Sequence, residues 1–245
     1  MRVRQQGEES SDKFEKQLLC LGEGKFPSHP VTGLISFPED FCEMLSPIQE
    51  VVDKVFPDIL NNFQNHQWLR ERAILALKND NVDYVNLKIQ DRLPGITSEY
   101  KSIDTVLDDE QALNYPTEFP NSLEPPGIPP HKLILKRGSV ILLLRNIDPP
   151  KLYNGTRICL KHLMLNVIEA TILTGNSKAE NVFIPRIPLI PSDIPFTFQR
   201  LQFPVRLAFA MTLYVACSRV GTPKNLHMYA PEGKTKNIVY HRALE

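Results

Sequence analysis

Between Val205 and Met211 the large apolar side chains fall on every second residue, Val205, Leu207, Phe209 and Met211. That is the period of a strand. From Leu213 the spacing changes to Leu213, Ala216, Cys217 and Val220, the i, i+3, i+4, i+7 set of a helix face. No Gly, Pro, Asn or Asp turns the chain between the two patterns at Thr212–Leu213. Upstream, "SPIQEVVDKVFP" predicts a helix. Ser46 suits its N-cap, Pro47 its first turn, and Gln49 completes an S-x-x-Q capping box. Ile48, Val51, Val52, Val55 and Phe56 form its buried stripe, and Pro57 ends it. A shorter helix is expected where Phe14, Leu18 and Leu21 share a face ahead of Gly22. "RAILAL" reads as a central strand, "KNDN" as a turn, and Val82, Val85, Ile89 and Leu93 as the inner face of a helix closed by Pro94-Gly95. Strand, turn and helix make half of a βαβ unit, which implies an α/β layer.

From about Ile103 to Pro130 the chain turns acidic and then proline-rich, the character of an irregular connector. Beyond it the patterning is all-β. "HKLILKRGSVILLLRNI", "TRICLKHLM", "VIEATILTG" and "NVFIPRIPLI" are strand-like runs between turn residues. Asn154-Gly155 predicts a type I′ hairpin turn. Several short strands in succession suggest a small barrel, so the pattern describes an α/β domain interrupted by a β module.

Composition adds a charge asymmetry. The 245 residues carry no net charge, yet residues 1–125 hold 12 Lys and Arg against 22 Asp and Glu, and residues 126–245 hold 16 against 6. A basic half attracts polyanions because each neutralised phosphate releases counterions; equally, the two halves can attract each other. The 42% hydrophobic content is that of an ordinary globular protein, and no apolar run has the length of a membrane span. The polar N-terminus resembles neither a secretory signal nor a transit peptide. Cys20, Cys42, Cys159 and Cys217 are scattered, as reduced intracellular thiols are, and the six histidines lack metal-site spacing.

Four stretches suggest chemistry. "PEGKTKN" contains Gly233-Lys234-Thr235, the end of a phosphate loop, but Met228 stands where the motif needs glycine, and "GEGKF" fails the same test. "IPRIPLIPSDIPF" has P-x-x-P spacing, although such runs more often form an edge strand or loop. Lys132, Lys136, Arg137, Arg145, Lys151, Arg157 and Lys161 crowd the β module, with Asp148 the one acid between His131 and Leu163. They make either a solvated surface or a nucleic-acid groove. Arg219 ends "LYVACSR", as a salt-bridge partner or as a finger that stabilises charge on a transferring phosphoryl group.

"ERAILALKNDNVDYVNLKI", "LPG", "YKSIDTV", "GIPPHKLILKRGSVILLLRNIDPPKLYNGTRICL", "VIEATILTG", "VFIPRIPLIPSDIPFTFQRLQFPVRLAFAMT" and "LYVACSRV" together resemble the C-terminal half of the Pif-type (petite integration frequency) DNA helicases of superfamily one, particularly the branch encoded by Helitron-type transposons. The resemblance runs over roughly residues 14 to 245. It implies an α/β fold: an incomplete RecA-like second helicase domain with an inserted small all-β, Src-homology-three-like barrel. The implied boundaries are a tail with connecting helices over 1–69, RecA-like segments over 70–114 and 202–245, and the barrel over 115–201. The family unwinds DNA 5′ to 3′ with ATP and Mg²⁺, in repair, recombination, telomere maintenance or transposition. By the same resemblance Asn79 and Asn86 lie near the nucleotide–DNA interface, Arg219 reaches the ATP γ-phosphate, and the product is nuclear; the seven basic residues are the candidate single-stranded DNA contacts by their density.

Two departures from the family bear on activity. The first RecA-like domain, with its phosphate loop and Mg²⁺ motif, does not precede Phe14, so neither ATP turnover nor a bound cofactor is expected of these residues alone. An Asn-Lys-Ala-Gln-Gly-Gln type helix and a further strand are missing between Thr212 and Leu213. The expectation is a deletion scar, with marginal stability, weak single-strand binding and no membrane or metal partner. The alternative is a non-enzymatic DNA-binding or interaction module.

Overall fold

The computed structural model describes residues 48–76, 79–107, 118–175, 177–192 and 196–212, the short stretches 16–17, 29–30, 34–35, 43–45, 227–229 and 235–236, and positions 20, 25, 27, 116 and 194. The chain forms two units that interleave along the sequence. Met1–Ile59, Glu71–Ile89 and Phe209–Glu245 make the first, and Leu60–Arg70 with Gln90–Ala208 the second.

The first unit is built on a parallel sheet. Its strands are β2 (Glu43–Leu45), β3 (Ile74–Ala76), β14 (Ala210–Thr212) and β15 (His227–Tyr229), in the order β14-β3-β15-β2. "RAILAL" therefore supplies an interior strand, as its unbroken apolar run predicts: Ile74 faces Ala210 on one side and His227 on the other. Helix α1 (Ile48–Val55) packs on this sheet through Val51, Val52 and Val55. Phe56, just past its end, meets the Phe209 ring edge-on at 5.6 Å. Ser46 and Pro47 lie outside the described residues, and Gln49 turns its amide to Asp53 one turn on. Helix α4 (Asn79–Asp91) buries Val82, Val85 and Ile89, the predicted face. A two-stranded antiparallel pair, β1 (Leu34–Ile35) with β16 (Thr235–Lys236), completes the described part.

Asn86 closes the outer edge of this sheet. Its Oδ1 accepts the Ala210 N–H at 2.8 Å and its Nδ2 donates to the Ala210 carbonyl at 3.1 Å, so one amide occupies the position of a neighbouring strand. Strands β14 and β15 flank β3 in parallel, and residues 213–226 run between them. That span suffices for a crossover, which takes about a dozen residues or more. The helix expected from Leu213 onward, and the Thr212–Leu213 join with it, fall at and beyond the limit of the described residues.

The second unit is antiparallel. Its largest sheet has the order β10-β9-β8-β7-β13, from β7 (Val140–Leu143), β8 (Arg157–Leu163), β9 (Val167–Ile172), β10 (Asn181–Pro185) and β13 (Val205–Leu207). A three-stranded sheet joins β5 (Ile103–Val106), β11 (Ile187–Leu189) and β12 (Phe198–Gln202), and β4 (Ser98–Lys101) pairs with β6 (Lys132–Leu135). Leu135, Ile141, Ile158, Ile168, Phe203 and Val205 lie at the centre of its core. Helices α2 (Ile59–Asn62), α3 (His66–Arg70) and α5 (Glu118–Ser122) are short.

Three expectations change here. The strands do not close into a barrel; among the described residues the five-stranded sheet ends at β10 and β13. The physical reason lies in "NVFIPRIPLI". Pro185 and Pro188 lack the N–H that would continue a ladder, and at Arg186 the chain passes from an edge of one sheet to an edge of another. Asn154-Gly155 does make a turn, with Thr156 N–H bonded to the Tyr153 carbonyl at 3.0 Å, but it sits in a longer β7–β8 connection. Gly155 has φ +84° while Asn154 is not left-handed, the φ pattern of a type II turn rather than type I′. Finally, the alternating run Val205–Met211 is two strands. Its first part pairs with β7 and its second with β3; Ala208 N–H bonds to Val140 and the Phe209 carbonyl accepts from Ile74 N–H.

The proline-rich connector is fastened by a buried ion pair. On β12 the inward positions are Phe198, Arg200 and Gln202. Arg200 and Asp104 of β5 both have 0% side-chain exposure and meet at 2.6–3.0 Å through Nε and Nη2. The remaining guanidinium protons go to the carbonyls of Pro120, Leu123 and Pro129, at 2.7–3.1 Å. Asp104 Oδ1 also accepts from Ser102 Oγ at 2.6 Å. With its proton committed there, Ser102 Oγ must accept from Nδ1–H of His131 at 2.8 Å. Gln202 ties the same corner through the Tyr100 and His131 carbonyls.

Arg200→Met leaves a carboxylate buried without its partner, and is expected to cost about 3–5 kcal/mol in urea unfolding. His131→Asn, whose amide can donate from the Nδ1 position, should keep more of the unfolding midpoint than His131→Gln.

Candidate nucleic-acid interface

The seven basic residues of the β module are not equivalent. Lys132 meets Glu99 at 3.0 Å, Lys151 meets Glu180 at 2.9 Å, and Lys161 meets Glu169 at 3.0 Å. Lys136 donates to the carbonyls of Asp91 and Leu93, capping the end of α4, where the helix leaves carbonyls without intrahelical partners. Arg157 is buried and reaches the Ala208 carbonyl at 3.4 Å. Arg145, half-buried, donates to the Leu144 carbonyl. Arg137 is exposed on the turn between β6 and β7, where Gly138 at φ +82° lets the chain reverse. A Cβ at Gly138 would come within 2.3 Å of the Phe63 ring, so this turn requires glycine on two counts.

The β8–β9 hairpin concentrates the polar groups. Leu160 faces Ala170 and His162 faces Glu169, which leaves Lys161 as the extra residue of a β-bulge. In a regular strand Lys161 and His162 would project from opposite faces. The bulge cancels one step of that alternation, returning Leu163 to the core while both basic side chains reach one carboxylate. Glu169 Oε1 pairs with Lys161 at 3.0 Å and Oε2 with His162 Nδ1 at 2.7 Å. Those two contacts, His162 first, hold the Glu169 carboxyl below the ordinary glutamate range. Lys151 lowers Glu180 in the same way and is itself raised by that hydrogen bond. His66 of α3 is lowered by burial and then by the charge of Lys161. On the buried side of β8, Cys159 lies 3.8–3.9 Å from the Gly138 and Phe63 carbonyls, and burial pushes its thiol up to about 12. That is the environment of an inert structural thiol.

Elsewhere, Asn86 is 1% exposed, with its amide engaged by Ala210. Asn79 opens helix α4; its side chain and the whole of Arg219 lie outside the described residues, as does Gly233-Lys234. Among the described residues no three His, Cys, Asp or Glu side chains gather as metal ligands, and no helix is long and apolar enough to cross a membrane. No local pattern in the sequence singles out Asp104, Ser102, His131 or the three glutamate counter-ions. Arg200 carried a usable signal, a charge at an inward position of an alternating run. The glutamates carried none, because their pairing depends on strand register for Glu99 and Glu169 and on how two loops meet for Glu180.

Residues 118–163 match the family model for the 2B domain of the DNA helicase Pif1. No curated protein matches the chain. Among solved structures, it is similar to unliganded Pif1 from Bacteroides sp, with 19% identity and a TM-score of 0.47 over 68% of this chain and 53% of that one. It is similar to the Pif1 helicase from Candida albicans, with 17% identity and a TM-score of 0.49 over 78% and 57%. Bacteroides Pif1 bound to ssDNA gives 19% and 0.44 over 78% and 52%. The chain thus spans about half the length of these helicases.

Glu169 and Glu180 have folded-state pKa values below the ordinary 4.5. Their contribution to stability is present above about pH 4.5 and is lost as pH falls through the lowered folded values. The double substitution Glu169→Gln and Glu180→Gln should therefore flatten the acid limb of a plot of thermal midpoint against pH.

Proposed function

We propose that these residues form the C-terminal part of a Pif-type DNA helicase of the Helitron-like branch, and that the strand-rich second unit contacts single-stranded DNA. The observation that carries this reading is the match of residues 118–163 to a DNA-helicase domain model, in the half of the chain where Lys and Arg outnumber Asp and Glu 16 to 6. Six of the seven candidate basic residues, all but the buried Arg157, are at least partly exposed, with Lys132, Arg137 and Lys151 the most open.

In this reading the first unit is the RecA-like second motor domain, the second unit holds the inserted β module, and Arg219 acts on the γ-phosphate of ATP held with Mg²⁺ by another part of the helicase. The reactions served are unwinding steps of repair, recombination or transposition, in the nucleus. Residues 1–245 carry no G-x-x-x-x-G-K-[ST] loop, and Arg219 alone supplies none of the backbone cradle that phosphoryl transfer needs. Alone, the chain binds DNA without turning over ATP. A non-enzymatic DNA-binding module is the second reading, favoured by the same charge asymmetry, and it makes the same binding claim.

A labelled deoxythymidine oligonucleotide should bind at low salt and lose affinity as salt rises, with a log–log slope of about −0.7 per neutralised phosphate. The same sample should show no DNA-stimulated ATP hydrolysis. Absence of binding at low salt overturns the DNA reading; stimulated hydrolysis overturns the claim that the chain alone is inactive.

A further inference from the structure

The tip of the β8–β9 hairpin is the least explained surface of the second unit. The turn is closed by Met164 N–H donating to the Val167 carbonyl at 3.2 Å, so the tip is short and fixed. It nevertheless carries Met164 at 41% and Leu165 at 74% exposure, apolar side chains that pack on nothing in the core. Immediately below the tip, the bulge at Lys161 brings two basic side chains to one side. A regular hairpin of this length would have separated them. His66 from α3 lies close enough for the charge of Lys161 to act on it, so the positive field of this lysine extends beyond its ion pair.

One carboxylate faces these groups. Glu169 divides its two oxygens between Lys161 and His162, at 3.0 and 2.7 Å, and its side chain is far less exposed than either partner. An anion that takes both Lys161 and His162 must displace it. Phosphate oxygens have the charge and hydrogen-bonding capacity to do so, and a single strand also offers unpaired base faces to an apolar tip. Two apolar side chains offer too little surface for stable insertion into a lipid interface, where binding scales with buried apolar area.

Resting on the single-strand reading above, we infer that Glu169 is a built-in competitor: it occupies Lys161 and His162 until nucleic-acid phosphate replaces it, while Met164 and Leu165 take a base at the tip. The bulge is the device that makes the competition possible, because it places both Lys161 and His162 on one carboxylate. Affinity at this hairpin is therefore set by an exchange of carboxylate for phosphate and not by free cations. The strand is bound more weakly, and released more readily, than the count of basic residues implies.

The test uses the full chain with a labelled deoxythymidine oligonucleotide, titrated at several salt concentrations. Glu169→Gln should tighten binding several-fold and steepen the salt slope by about 0.7 as Lys161 is released. Glu180→Gln, which removes the same charge from the Lys151 pair, should give a smaller gain. Lys161→Gln should lower the slope by about 0.7, and gives a readout that does not depend on the folding of the Glu169 variant. Met164→Ser with Leu165→Ser should weaken binding without changing the slope. If the wild-type chain binds but Glu169→Gln binds no tighter than Glu180→Gln, the competitor role is overturned. Equal affinity for a duplex of the same length, or binding to phosphatidylserine vesicles in place of the oligonucleotide, overturns the single-strand tip contact. If no variant binds at low salt, the single-strand reading itself fails.

Discussion

A guanidinium removed from water is costly unless its N–H groups find partners, and Arg200 finds them in three different segments. Its carboxylate partner comes from β5, and its carbonyl partners come from α5 and from the proline-rich stretch that leads into β6. Prolines cannot offer N–H groups to a ladder, so a segment rich in them has few ways to attach itself to a sheet. Here the attachment runs through carbonyls, which proline retains. One cation thus converts a stretch with poor strand-forming capacity into an ordered wall of the second unit. The Asp104–Ser102–His131 chain then transmits that order to the start of β6.

Elements governed by a single local period were legible in the sequence. The interior strand at Ile74–Ala76, the helix that buries Val82, Val85 and Ile89, and the α1 stripe all appear where apolar spacing places them. Pattern failed where partner choice decides. Alternation from Val205 to Met211 says that one face is buried; it does not say that Val205–Leu207 will join one sheet and Ala210–Thr212 another. The closed barrel failed for a related reason, since closure depends on which edges meet, and Pro185 and Pro188 divert the chain before that. The candidate site was half legible. Its basic residues stand out in composition, but Glu99 and Glu169 reach theirs across ladders and Glu180 meets Lys151 between two loops, placements that no local pattern encodes.

The basic half of the chain is less bare than its composition suggests. Of its cations, one caps a helix, one is buried, and three sit on glutamates. Exposed pairs of this kind are weakly held and exchange with other anions at little cost. A surface of paired charges differs from a bare one in a practical way. Each pair presents less net positive charge at its position than the lysine alone would.

The order of strands in the parallel sheet has a consequence for synthesis. Its ladders run β14 to β3, β3 to β15 and β15 to β2, so each of them uses a strand from residues 210–229. Strands β2 and β3 leave the ribosome early and have no ladder partner in this sheet until most of the chain has followed. At about 5–20 residues per second, β3 waits on the order of ten seconds, during which Gln90–Ala208 of the second unit emerge. The inserted unit can fold in that interval, whereas the first cannot form its sheet. During translation the apolar strand "ILA" is therefore a natural client for a chaperone, and a ribosome stalled before residue 210 would release a folded insert on an unfolded host.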